Sequence, residues 1–212
     1  MSSADAPSPE ASRRLRLFLA LELPRPARSA LVGWRERALG GRAELRLIPP
    51  DALHVTIVFL GGRDRERLDE ITEVAFAAAA SAVSAPPRLR PLAVRPIPAR
   101  RPRLYALELE DEGGRAALLQ RAVGGALAEA GLWEPERRPF WPHLTIARVR
   151  ARSARRGARE RAGEPALPPL PSEPPPQLAF EAAELVLYRS LLAPSGARYE
   201  PLARCAVGVT SS

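Results

Sequence analysis

The sequence predicts an α+β fold made of two pseudo-symmetric halves, with antiparallel sheets lining a central cleft and helices outside. The main observations behind this are two internal repeats. Ala20-Leu21-Glu22-Leu23 recurs as Ala106-Leu107-Glu108-Leu109, and His54-Val55-Thr56-Ile57 recurs in type as His143-Leu144-Thr145-Ile146. The interval from the first alanine to the histidine is 34 residues in one copy (20 to 54) and 37 in the other (106 to 143). Order and spacing both persist, as expected of an internally duplicated unit. Each unit reads as a strand, a helix and a histidine-bearing strand.

The elements follow in order. Residues 1–12, rich in Ser, Ala and Pro, read as a disordered tail. Leu15–Leu23 alternates as a strand and is stopped by Pro24 and Pro26. Ala27–Leu39 reads as a helix ended by Gly40-Gly41. Leu45–Ile48 is a short strand before the turn Pro49-Pro50-Asp51. His54–Leu60 is a strong strand closed by Gly61-Gly62; residues i and i+2 share a face, so Val55, Ile57 and Phe59 point to the core. Arg65–Val83 places Leu68, Ile71, Val74 and Ala75 at helical spacing. Leu89–Ile97 and Arg103–Glu110 are strands around the Pro98–Pro102 turn. Arg115–Ala130 is a helix capped by Gly131, and Leu144–Val149, Ala179–Tyr188 and Tyr199–Val207 are strands. Residues 151–163 hold five arginines and 164–177 hold seven prolines. That composition predicts an extended, mobile loop at 151–177 inside one bilobal domain, 13–207, with a tail at 208–212.

Composition narrows the chemistry. The chain has 212 residues, of which 46% are hydrophobic but only 5% aromatic, so the core is aliphatic and alanine-based. All 32 basic residues are arginine. Without lysine there is no P-loop lysine, no pyridoxal Schiff base and no lysine adenylate. A net charge of +8 favours polyanionic partners, and arginine grips phosphate bidentately; a GC-rich genome would raise the arginine total as well. The single cysteine, Cys205, excludes an internal disulfide and a multi-cysteine zinc cage, fits a cytoplasmic location, and reads as a small buried hydrophobe. No apolar run approaches the roughly 20 residues of a membrane span. Arg13-Arg14 precede an apolar stretch as in an export signal, but Arg16, Glu22 and Pro24 interrupt it.

His54 and His143 are the only histidines, and threonine occupies only four positions, yet a threonine stands two residues after each histidine. A lone histidine on a strand is ordinarily structural; a duplicated motif that uses both points to a site. Strand parity puts His54 with Thr56, and His143 with Thr145, on one face. Packed about a pseudo-twofold axis, two imidazoles flank one ligand with two hydroxyl donors between them. A metal centre wants a third strong ligand where these motifs have threonine, so no metal and no cofactor are expected. One neutral and one protonated imidazole supply a general base and a general acid, and hydroxyls bind phosphate oxygens. Candidate substrate contacts are Arg46, Phe140, Trp141 and Arg148. Phe140 and Trp141 either stack on a nucleobase or pack in the core. Arg148 has the opposite parity to His143, so it reaches a phosphate only if the strand bends. Tyr188 and Tyr199 are expected to pack.

The paired motifs, followed by Phe59-Leu60-Gly61 and by Ala147-Arg148, resemble the two-histidine phosphoesterases, specifically the bacterial RNA 2′,3′-cyclic phosphodiesterases also called 2′-5′ RNA ligases. The similar stretches are LRLFLALELP, LRLIPPDALHVTIVFLGG, RPRLYALELED, RPFWPHLTIARV and LVLYRSLLAPSGARYEPLAR. The resemblance implies a bilobal α+β fold. It also implies hydrolysis, without metal, of an RNA terminal 2′,3′-cyclic phosphate to a 2′-phosphate. In that scheme His143 is the proton acceptor, His54 the proton donor, and Thr56 and Thr145 hold the non-bridging oxygens. RNA with cyclic phosphate ends, tRNA fragments among them, is the expected partner of a monomer, and the arginines of 151–163 are either an arm for RNA or a solvated insertion. Three alternatives stay open at this point: 2′-5′ ligation by the reverse reaction, a phosphodiesterase for small cyclic nucleotides, and an RNA-binding module without chemistry.

Overall fold

A computed structural model describes residues 14–150, 173–193 and 196–208. The expectations for residues 1–12 and 209–212, and for 151–172 of the Arg/Pro-rich segment, lie outside the described residues. The strands are β1 (Arg14–Glu22), β2 (Leu45–Leu47), β3 (His54–Asp64), β4 (Arg88–Ile97), β5 (Leu104–Glu112), β6 (His143–Val149), β7 (Phe180–Glu181), β8 (Glu184–Ala193) and β9 (Gly196–Ala206). The helices are α1 (Arg25–Leu39), α2 (Leu68–Ala82) and α3 (Arg115–Glu129).

The nine strands form one sheet in the order β7-β4-β5-β6-β3-β1-β8-β9, with β2 pairing the far end of β6. The two repeats therefore share a sheet, curled into a half-barrel, and meet where β3 lies antiparallel to β6. Outward from that seam the order is mirrored: β3 pairs β1, which pairs β8, and β6 pairs β5, which pairs β4.

Alternation separates the two faces. Leu21, Val55, Leu107 and Leu144 are fully buried and belong to one large cluster with Leu31 and Trp34 of α1, Ile71 of α2, and Leu119, Val123 and Leu127 of α3. Phe18, Ala20, Val186 and Tyr188 form a separate small cluster. The helices thus cover one face, and the motif histidines rise from the other. With so few aromatic residues, leucine, valine and alanine fill the large core.

Most boundaries match the expected spans within a few residues, with three corrections. β3 does not close at Gly61-Gly62 but continues to Asp64, because Gly61 takes φ +72° without the Cβ penalty other residues would meet there. The strand expected at Ala179–Tyr188 is two strands, β7 and β8. The C-terminal end of the Arg/Pro-rich segment is held rather than loose. The Trp34 indole donates to the Glu173 carbonyl at 3.3 Å, and Arg37 donates to the Glu173 carboxylate at 2.8 Å.

Leu144 is 0% exposed and lies directly beneath the site, paired with Val55 and Leu107. Leu144→Ala is expected to cost about 2–5 kcal/mol of stability, the scale for opening a cavity in a packed core; urea unfolding checks it.

Candidate active site

The two repeats fall into the same cross-strand register. In the first half Ala20 pairs Thr56, Leu21 pairs Val55 and Glu22 pairs His54. In the second, Ala106 pairs Thr145, Leu107 pairs Leu144 and Glu108 pairs His143. The seam then fixes the site. Val55 pairs Leu144, so in an antiparallel ladder His54 faces Thr145 and Thr56 faces His143. The four side chains form a square on one face, with histidines at diagonal corners and threonines at the other two. Diagonal neighbours in such a ladder stand about 7–8 Å apart, wide enough for one tetrahedral anion between the rings.

Both rings are fixed in the same way. His54 Nδ1 lies 2.8 Å from the Ala52 carbonyl, and His143 Nδ1 lies 2.8 Å from the Trp141 carbonyl. A carbonyl only accepts, so Nδ1 donates in each case and Nε2 is left for the ligand.

A matching bulge follows each motif. On β3, Thr56 pairs Ala20 but Val58 pairs Leu19, so Ile57 is an extra residue. On β6, Thr145 pairs Ala106 but Ala147 pairs Tyr105, so Ile146 is extra. An extra residue reverses the facing of everything after it. Ile57 with Val58, and Ile146 with Ala147, are buried in succession. Phe59 and Arg148, each five residues after its histidine, are thereby turned to the cleft. The expectation that Phe59 points to the core is corrected: it is 40% exposed, lines the cleft, and carries the Arg16 guanidinium 4.9 Å above its ring. The bend that Arg148 requires is this bulge.

The resulting cleft, about 450 Å³, is lined by His54, Thr56 and Thr145, by Arg16, Arg46 and Arg148, and by Phe18, Phe59, Ser190 and Tyr199 among others. Arg46 and Arg148 are cross-strand partners on β2 and β6. His143 is not among the residues that line this cleft, but it is close enough for its charge to bear on His54. Neither expected aromatic contact lies in the cleft. Phe140 packs against the large core. Trp141 lies flat on His143, with ring centroids 4.3 Å apart and planes at 18°.

Sequence reasoning missed the surroundings of His54. Phe18 (4.8 Å between centroids), Tyr199 (5.1 Å, edge-on) and Tyr188 (6.2 Å) enclose its ring. Both tyrosines pack as expected, Tyr188 buried and Tyr199 half-buried against the small cluster, where Tyr199 also lines the cleft. Burial in this cage pushes the His54 pKa down from 6.5 to about 4; the Ala52 carbonyl opposes the shift, and the positive charges of His143 and Arg148 add to it. Cys205 is half-buried against the core, which pushes its thiol up to about 11. Among the described residues no three His, Cys, Asp or Glu side chains converge as metal ligands, and no helix is long and apolar enough to cross a membrane.

Two His-x-Thr strands joined at a local twofold, with arginines on the rim, define a two-histidine phosphoesterase. A model of the 2′-5′ RNA ligase superfamily matches residues 23–193, and the chain belongs to that family. It is 29% identical over 196 residues to the RNA 2′,3′-cyclic phosphodiesterase of Thermus thermophilus, covering 89% of this chain and 88% of that protein. A crystal structure of a Thermus thermophilus protein superposes with a TM-score of 0.70 at 28% identity, covering 92% of this chain and 98% of that one. Escherichia coli LigT complexed with 3′-AMP gives 0.67 at 25%, with the same coverage.

The buried His54 makes folding sensitive to acid. Its pKa is about 4 in the folded protein against 6.5 for an ordinary imidazole, so between those values the unfolded chain holds the proton and the native state does not. The stability this group contributes is complete above about pH 6.5 and declines as pH falls towards 4. Urea unfolding of wild type and His54→Gln at pH 7 and pH 5 checks this: the loss between the two pH values is expected to be smaller in the variant.

Proposed function

We propose that the protein hydrolyses the terminal 2′,3′-cyclic phosphate of RNA to a 2′-phosphate by metal-independent acid–base catalysis. The observation that carries this reading is the square of two imidazoles and two hydroxyls about the Val55–Leu144 pair. The name of the Thermus thermophilus relative supports the cyclic phosphodiesterase activity on RNA.

In the proposed sequence the phosphodiester anion sits between the rings. The Thr56 and Thr145 hydroxyls donate to its non-bridging oxygens, and Arg148, with Arg46 beside it, balances the charge that builds up on them. His143 Nε2 takes a proton from water as the water oxygen bonds to phosphorus. The bond from phosphorus to O3′ breaks, and His54 Nε2 gives its proton to O3′, leaving a 2′-phosphate and a free 3′-hydroxyl. Histidines at diagonal corners suit in-line displacement, because the attacking and leaving oxygens lie on opposite sides of phosphorus. The roles of base and acid are those the family resemblance implies.

That assignment asks His54 to carry a proton that the empty cage disfavours. The bound phosphodiester supplies the missing counter-charge, so His54 is charged by its own substrate. The donor is then assembled only when a phosphate occupies the cleft. Ligation to a 2′-5′ bond follows the same path with an RNA 5′-hydroxyl in place of water as the nucleophile; water at its own concentration favours hydrolysis. The protein is proposed to act as a cytoplasmic monomer on RNA ends, tRNA fragments among them.

Incubation with an oligoribonucleotide ending in a 2′,3′-cyclic phosphate, with EDTA present, tests the reading, and the expected product carries a 2′-phosphate. A 3′-phosphate product, or activity abolished by EDTA and restored by a divalent metal, contradicts it. His54→Ala and His143→Ala are each expected to lower kcat by about 10²–10⁴, and the double variant by far less than the product of the two effects, since both act in one step. A leaving group that departs without a proton separates the roles. On a p-nitrophenyl phosphodiester, His54→Ala is expected to recover most of its lost rate and His143→Ala none.

A further inference from the structure

The two histidines are equivalent in backbone and unequal in side-chain surroundings. The residue two before His54 is Ala52, which offers a carbonyl and a methyl group. The residue two before His143 is Trp141, which offers a carbonyl and an indole. The β5–β6 pairing ends at Glu108 and His143, but the Pro142 carbonyl beyond it still accepts the Leu109 N–H at 3.0 Å, and the Trp141 ring lies on the histidine's face of the sheet, stacked on His143.

Beneath this lies a carboxylate supplied by the other repeat motif. Glu108 is the cross-strand partner of His143, so its side chain emerges beside the imidazole. It makes no hydrogen bond to that ring. Its Oε1 accepts the Trp141 indole N–H at 3.2 Å, and its Oε2 accepts from Arg95 Nε at 2.7 Å. Arg95 also keeps the carboxyl ionised, holding its pKa below the ordinary carboxylate value. In the first half the equivalent Glu22 reaches Arg28 at 2.9 Å and Arg204 at 3.4 Å.

We infer that Glu108 and Trp141 are positioning residues for His143, Glu108 holding the indole flat against the imidazole. One residue, Trp141, then fixes the ring twice. Its carbonyl sets which nitrogen carries hydrogen, and its indole sets the plane of the ring. Without the stack, His143 turns about its Nδ1 hydrogen bond, and its Nε2 moves off the line to phosphorus. His54 needs no such device because Phe18, Tyr188 and Tyr199 enclose it.

The inference rests on the proposed reaction for its kinetic consequence but not for its geometry, so two measurements separate the two claims. The first is NMR of the free protein. The indole ring current is expected to shift the His143 ring protons upfield. The shift is lost in Trp141→Ala, reduced in Glu108→Ala and retained in Glu108→Gln, whose amide oxygen still accepts the indole N–H. The second is steady-state turnover of a 2′,3′-cyclic mononucleotide. Glu108→Ala is expected to lower kcat by about 10- to 100-fold, the scale of an ångström-sized misplacement of a catalytic group, while KM changes less than about twofold because the group it positions acts in the transition state. Glu108→Gln is expected to restore kcat to within about threefold of wild type. A Glu108→Ala protein with wild-type kcat, or whose His143 ring protons keep the full wild-type upfield shift, overturns the inference. Wild-type protein inactive both on the cyclic mononucleotide and on an oligoribonucleotide with a 2′,3′-cyclic phosphate end overturns the proposed function instead, and the NMR comparison then decides the positioning role by itself.

Discussion

The pairing of Val55 with Leu144 is the contact on which the site depends. Neither residue touches a ligand; both are fully buried against the helix side of the sheet. Their register sets the partners of the four polar residues beside them. A slip of one residue at this seam would leave a histidine facing the core, and a slip of two would pair histidine with histidine. Catalytic geometry here follows from an aliphatic contact, and that contact is held by the longer ladders β1–β3 and β5–β6 on either side.

The two bulges complete what the seam begins. Regular alternation supplies only two side chains of each motif strand, the histidine and the threonine, to the face of the candidate site. The extra residue after each threonine adds a third, Phe59 in one half and Arg148 in the other. The same backbone irregularity thus delivers an aromatic ring at one end of the cleft and a cation at the other.

Much of this was legible in the sequence, for a definable reason. The duplicated motifs, the facing of His54 with Thr56 and of His143 with Thr145, and the order of the elements follow from strand parity and spacing, which are local properties. What was not legible depends on the partner strand. A bulge exists only relative to the strand opposite, so the facing of Phe59 was misread and that of Arg148 left to a bend whose origin lay in β5. The cage around His54 comes from β1, β8 and β9, with Tyr199 some 145 positions away in the chain (54 to 199). Glu108 was visible as part of a repeat. Its tie to Trp141 was not, because proline ordinarily ends a ladder and here the Pro142 carbonyl still accepts a hydrogen bond beyond the last pair.

The local twofold has a consequence for what a single covalent chain makes possible. Two separate copies of one half, paired through their histidine strands, would build the same square of side chains. Such a homodimer would be bound by its own symmetry. Its two imidazoles would have identical neighbours and equal affinity for the one proton they share, so neither could be dedicated to giving or to taking it. Joining the halves end to end lifts that degeneracy. One ring can be enclosed by phenol and phenyl groups while the other lies against an indole, and in the proposed reaction a proton shared between equals becomes a directed transfer.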